Sequence, residues 1–199
     1  MTAVSVPTSR LSATASRPAA GPQPAAGPQL ACRPAASAAE LATHFRIRHQ
    51  VFVLEQGLFR AGPAGVGDDG PVGDDRDAHD DDPATIHVIG LADGVIGGTV
   101  RLYPLDGAPG RWKGDRLAVL AEHRRHGLGA PLVRFAVAEA GARGGLEMEA
   151  FIQPANVAFF EWLGWRSAGG IVAYAGIDHQ RMVTGLAAGG RAGRRSYGC

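Results

Sequence analysis

Arg124, Gly127 and Gly129 stand as Arg-x-x-Gly-x-Gly between an apolar run at residues 117–120 and an amphipathic stretch reaching Arg143. Within that stretch Leu128, Leu132, Ala136 and Ala140 recur at a helical spacing, with Val133 and Val137 beside them. Pro131 falls in the first turn, where a missing N–H costs nothing. Glycines let a backbone approach a ligand closely, and the unpaired N–H groups of a helix start face an anion with the positive end of the helix dipole behind them. Arg124, Arg125 and His126 add donors and charge. The chemistry that fits this turn is the grip of a pyrophosphate.

The turn is not a Walker loop, because the Gly-Lys-Ser/Thr ending is missing. It also falls late in the chain, after several strands, whereas a dinucleotide-binding fold carries its glycine fingerprint on the first strand–helix turn.

Three ordered motifs then point one way. Arg124-x-x-Gly127-x-Gly129-Ala130 resembles the acetyl-CoA signature of the GNAT N-acetyltransferase superfamily. The segment from Asn156 through Phe159-Phe160-Glu161-Trp162-Leu163-Gly164-Trp165 is similar to that family's Asn-…-Phe-Tyr-Glu-x-Leu-Gly-Phe. Gly176-x-x-His179-x-x-Met182 and Val51-Phe52-Val53-x-Glu55-Gln56 resemble segments of a small bacterial subgroup encoded near nitrilases. The resemblance covers about residues 30–182 and implies direct attack of an acceptor amine on the thioester of an acyl-CoA.

It also implies roles. Residues 124–130 (Arg124, Arg125, His126, Gly127, Leu128, Gly129, Ala130) would hold the pyrophosphate, backbone groups of Ala118 and Val119 the pantetheine arm, and Asn156 the cofactor from the next helix. Asn156 has an equally good role as a helix cap. A backbone N–H of the strand would polarise the thioester carbonyl, as an oxyanion donor does. The family often has a tyrosine at the position of Phe160 to protonate the leaving thiolate, and phenylalanine has no proton to give. For proton removal from the amine, Asp115 and Glu149, on strands either side of the cleft, are the catalytic candidates; His123 and His179 are weaker ones.

The first half also resembles acyl-homoserine-lactone synthases: Arg48-x-x-x-Phe52, an acidic stretch, then Arg101-Leu102-x-Pro104. On that resemblance Arg48 and Arg101 would bind the acceptor; the structural alternative pairs them with carboxylates at the core edge. Three functions stay open: an N-acetyltransferase acting on a small amine with acetyl-CoA as donor, the first expectation; an acyl-homoserine-lactone-like or N-acyl amino acid synthase using longer acyl donors; and a non-catalytic CoA-binding GNAT module. The expected partners are acyl-CoA and a small amine acceptor, without nucleic acid, membrane or metal; a homodimer stays open.

The elements that must position these residues follow from pattern. Ser37 to Glu40 reads as a capping box, opening a helix through residues 49–53 that buries Leu41, Phe45 and Phe52. Strands are expected at 85–92 and 95–105, joined by a two-residue Asp93-Gly94 hairpin, and at 112–120. After the amphipathic helix come a strand at 146–152, with Leu146, Met148, Ala150 and Ile152 on one face, a helix at 155–163 and a strand pair at 166–182. The fold class is α/β (α+β): a mostly antiparallel central sheet flanked by helices.

Residues 68–82 hold Asp68, Asp69, Asp74, Asp75, Asp77, Asp80, Asp81 and Asp82 against Arg76. This run reads as a solvated loop or as an electrostatic lip that draws in a cationic acceptor. Residues 1–29 are rich in Ala, Pro, Ser and Gly and read as a disordered tail; 183–199 read as a flexible Gly/Arg-rich one. One GNAT-like domain is expected at 30–182. A net charge of +1 gives no global pull toward nucleic acid, no 18-residue apolar run is present, and two cysteines make no disulfide framework. A reduced, cytoplasmic setting is expected. Lys113 is the only lysine among 20 basic residues.

Overall fold

The structure is a computed structural model that describes residues 27–59, 73–174 and 176–187. Its strands are β1 (Leu30–Pro34), β2 (Ile86–Ala92), β3 (Val95–Pro104), β4 (Arg111–Val119), β5 (Glu147–Ile152), β6 (Arg166–Tyr174) and β7 (Ile177–Gly185). Helix α1 (Ala38–Arg48) continues as a π-helical turn (His49–Glu55); α2 (Ala121–Arg124) and α3 (Gly129–Ala142) follow β4, and α4 (Val157–Trp162) follows β5. The strands form one sheet in the order β1-β2-β3-β4-β5-β7-β6. Every pairing is antiparallel except β4 with β5.

The expected hairpin joins β2 to β3. Asp93 and Gly94 both have positive φ, 51° and 81°, the backbone that a two-residue turn between right-twisted strands requires. Helix α3 packs on β1 to β4. Leu128, Leu132, Val133, Ala136 and Ala140 are buried there, the face read from the spacing. Gly90 and Gly98 lie opposite each other in register. A Cβ on Gly90 would meet Leu132 at 3.0 Å. The absent side chains are what let the helix sit so close to the sheet. Trp112, Met148, Ala150, Phe160 and Trp165 continue this core.

Helix α1 packs on β2, β3 and β4, and its buried side is not the expected one. His44, Ile47 and Arg48 are buried, while Leu41, Phe45 and Phe52 are half-buried. The apolar residues alone mislead here because this face packs on charge: Arg48 points inward to carboxylates, and Phe45 lies under the Arg76 guanidinium at 4.2 Å. Ser37 does cap α1, accepting from the Glu40 N–H. Glu40 reaches past the cap to the Ala36 N–H and pairs with Arg33, so the box is half closed. Leu146 lies just before β5 and is exposed, while Met148, Ala150 and Ile152 face the core. Strand β7 runs to Gly185 and Leu186 is buried, so ordered structure passes the expected boundary at 182. Most of the two expected tails, and Asp68 and Asp69, lie outside the described residues. No helix among the described residues is long and apolar enough to cross a membrane.

Candidate functional site

Strands β4 and β5 pair only from Arg111 to Lys113 and from Glu147 to Glu149. Beyond that register they separate, and a cavity of about 460 Å³ occupies the gap. Residues 113–117 of β4 line one side and Met148, Ala150, Phe151 and Ile152 of β5 the other. On its other edge β4 carries a bulge: Thr99 pairs with Ala118 and Arg101 with Asp115, so β4 has one residue more than β3. Arg116, at φ 51°, is the left-handed residue that absorbs it. The bulge turns the middle of β4 toward the cavity.

At the C-terminal end of β4 the chain makes α2 and the glycine turn. Gly127 has φ 74° and no side chain caps α3. A Cβ on Gly129 would find only Phe159, at 3.6 Å. Space above the helix start is therefore open. Arg124 donates from Nε to the Val119 carbonyl and pairs with Glu55 at 2.7 Å. Arg125 Nε lies 3.2 Å from His126 Nε2. Leu128 is fully buried, and Ala130 half-buried.

Behind one cavity wall lies a cluster of three arginines and four aspartates. Arg48 pairs with Asp75 and Asp80, both at 2.5 Å. Arg101 pairs with Asp77 at 2.6 Å, Asp80 at 2.8 Å and Asp115 at 2.8 Å. Arg116 pairs with Asp77 at 2.9 Å and donates from both terminal nitrogens to the Tyr174 hydroxyl oxygen at 3.1 Å. Tyr103 donates to Asp115 at 3.4 Å. Burial pushes the Asp115 carboxyl up, but the charge and hydrogen bonds of Arg101, helped by Arg116 and Lys113, outweigh it and hold it at about 2. The same contest leaves Asp80 and Asp77 lowered. For Asp75 burial wins over Arg48, and its carboxyl is raised. Burial, and then the nearby Asp115 charge, raise Tyr103.

The expected residues divide accordingly. Asp115 and Asn156 line the cavity; Arg48, Arg101 and Glu149 do not. Arg48 and Arg101 are fully buried and held by aspartates. They shape the wall from behind, the structural alternative raised for them above. Glu149 pairs with Arg111 at 2.6 Å and Arg181 at 2.7 Å. Asn156 stands at the cap position of α4 but makes no side-chain cap bond. Ala118 is buried against Ile47 and Val51. His179 lines the cavity with Nδ1 3.0 Å from the Ile177 carbonyl, and His123 packs over Gly97. Within the described part of the acidic run, Asp75 and Asp80 are buried and Asp77 is ion-paired, so these three form part of the fold, while Asp81 and Asp82 stay exposed as a solvated loop would have them. Sequence reasoning missed Arg116, Tyr103, Tyr174 and Lys113 on the wall; a run of aspartates with two unassigned arginines was the available signal. No group of three or more metal-binding side chains occurs among the described residues.

A splayed parallel pair beside a bulged strand, with a glycine turn opening the following helix, defines an acyl-CoA-type acyltransferase fold. The model of the acetyltransferase (GNAT) family matches residues 53–165, more than half of the chain, and the chain belongs to that family. Among solved structures it is similar to a CoA-dependent acyl-homoserine lactone synthase, BjaI, with SAM and isopentyl-CoA (19% identity, 80% of this chain and 84% of that one, TM-score 0.62). It is likewise similar to a putative N-acetyltransferase from Lactobacillus plantarum (23%, 79% and 98%, TM-score 0.62). A third is Escherichia coli ElaA (17%, 78% and 98%, TM-score 0.62). At these identities the likeness is one of fold. No curated protein matches the chain.

Proposed function

We propose that this protein transfers an acyl group, acetyl in the first instance, from acyl-CoA to the primary amine of a small molecule by direct attack, in the cytoplasm. The observation that carries the reading is the gap between β4 and β5, flanked by the bulged strand and followed on that strand by the uncapped glycine turn. Arg124, Arg125 and His126 supply donors and Gly127 to Ala130 supply backbone to the pyrophosphate. Ala118 and Val119 pair with the pantetheine arm, and Asn156, free of a capping bond, reaches the cofactor from α4.

For the acceptor, Arg48 and Arg101 act through the aspartates they hold. Asp115, pinned as an anion, orients the amine in preference to exchanging its proton. Glu149, paired on both sides, steadies the strands around the gap. The proton that a tyrosine at position 160 would give comes from Tyr174. Arg116 donates to that hydroxyl oxygen from both terminal nitrogens, and its positive charge favours the tyrosinate left once the proton has been given.

One observation favours a second reading, transfer of a longer acyl chain: Phe52, Leu58, Val133, Met148, Phe160 and Trp165 give the cavity a largely apolar wall. Calorimetric titration with acetyl-CoA, CoA and a long-chain acyl-CoA tests both. Micromolar binding shared by acetyl-CoA and CoA, followed by thiol release with an amine panel, supports the first reading. Tighter binding of the long chain supports the second. Binding without thiol release from any amine would leave a CoA-binding module.

A further inference from the structure

Among the described residues, four side chains that are charged at neutral pH line the cavity: Asp77, Lys113, Asp115 and Arg116. Three of them are spoken for. Asp77 and Asp115 are held by Arg101, and Arg116 pairs with Asp77. Lys113 is different: among the described residues it makes no ion pair, and its ammonium sits 5.1 Å from the centre of the Phe151 ring, which also lines the cavity. It is half-buried, at the last register position before β4 and β5 part.

The residue type reinforces this placement. Of 20 basic residues only this one is lysine. Guanidinium groups suit the planar, bidentate pairing with carboxylates seen in the cluster behind the wall; an ammonium is a compact charge on a flexible stem with three rotatable donors. A half-buried cation with no ion pair among the described residues, its charge felt by Asp115 only at a distance, suits a ligand that brings a negative charge of its own.

We infer that Lys113 binds a carboxylate of the acceptor, so that the acceptor is an amino acid or a similar molecule with both an amine and a carboxylate. The inference rests on the transferase reading above and adds the substrate class to it. Lys113 and Asp115 are two residues apart on one strand, a separation of about 7 Å, with their side chains on the same face. Asp115 takes three donors, two from Arg101 and one from Tyr103, where a carboxylate offers about four lone-pair sites. A small acceptor laid along this strand meets Lys113 with its carboxylate and Asp115 with its amine. A phosphate, with its greater charge, would face Asp77 and Asp115 across the same cavity; a single carboxylate is the better match.

The test compares free amino acids with their C-terminal amides as acceptors, using the full chain, acetyl-CoA and thiol release, for the unaltered protein, Lys113→Gln and Lys113→Arg. Loss of a charge-assisted hydrogen bond should raise KM for the acids by about 10-fold or more in Lys113→Gln. kcat and the KM of the amides should change little, and Lys113→Arg should recover part of the loss. Thiol release that treats acid and amide alike before and after substitution overturns the inference and leaves the transferase intact. So does a mass gain of one acetyl group on the peptide carrying Lys113, which would make this lysine the nucleophile itself. No thiol release from any amine, including simple amines without a carboxylate, overturns the transferase reading and the inference with it.

Discussion

At the scale of the residue, the wall of the cavity is governed by which charges have partners. Asp115→Asn would strip Arg101 of one counter-ion while leaving the guanidinium buried, a change that costs about 3–5 kcal/mol in comparable buried pairs. Chemical denaturation should register that loss. Because Asp115 is held at about 2, a limb in the pH–rate profile between pH 5 and 8 would belong to another group and should survive in any Asp115→Asn protein that still folds. Its disappearance would restore Asp115 as the base. Tyr174→Phe removes only a hydroxyl from the cavity side of Arg116. Proton donation by a positioned side chain is worth about 100-fold or more, so kcat should drop on that order with KM for acyl-CoA unchanged. A kcat within about twofold of the original would show that the thiolate leaves without help from Tyr174.

At the scale of the element, what could be read from sequence was what periodicity and turn chemistry determine. The Leu128-Leu132-Ala136-Ala140 stripe, the Asp93-Gly94 hairpin and the alternation through Met148, Ala150 and Ile152 each depend on residues near in sequence, and each is found. The inward face of α1 was not legible, because Arg48 is buried by aspartates 27 and 32 residues away. The bulge at Arg116 was not legible either. Its positive φ falls on an arginine, which ordinarily avoids that region, and only the match between β3 and β4 demands it. The glycine turn offers the cleanest element-level test. Gly129 has an ordinary φ and room for a Cβ, so Gly129→Val should fold with nearly the same Tm while its branches crowd the start of α3. Together with Arg124→Ala it should weaken CoA binding at least about 10-fold by calorimetry. Equal affinity in the double variant would mean that the pyrophosphate lies elsewhere.

At the scale of the whole molecule, the buried polar layer between α1 and the sheet ties stability to pH. His44 is buried, its Nδ1 3.2 Å from the Val88 carbonyl and its Nε2 3.4 Å from His87. Burial, then the Arg48 charge and His87, bring His44 down to about 3, and burial lowers His87 as well. In the unfolded chain both imidazoles take up a proton near pH 6.5. Above that pH neither state is protonated, and the stability lent by neutral burial is complete; as pH falls from 6.5 toward 3, the unfolded chain binds protons that the fold refuses. Stability should therefore decline by up to about 1.4 kcal/mol per pH unit for each histidine involved. Asp77, Asp80 and Asp115 act lower on the scale. Their lowered carboxyls stabilise the fold above the ordinary aspartate value, and that contribution is lost only as pH falls through and below about 4. Asp75, raised by burial, works in the opposite sense and blunts this second loss. Urea melts from pH 8 to about pH 2 should thus fall in two stages, the first beginning near 6.5 and the second near 4. His44→Phe, whatever its starting stability, should flatten the first stage, since it removes one of the two groups whose protonation the fold opposes. If the variant and the original lost stability at the same rate between pH 6.5 and 4.5, His44 would have to be protonated inside the fold, and the polar layer beneath α1 would carry a positive charge at its centre.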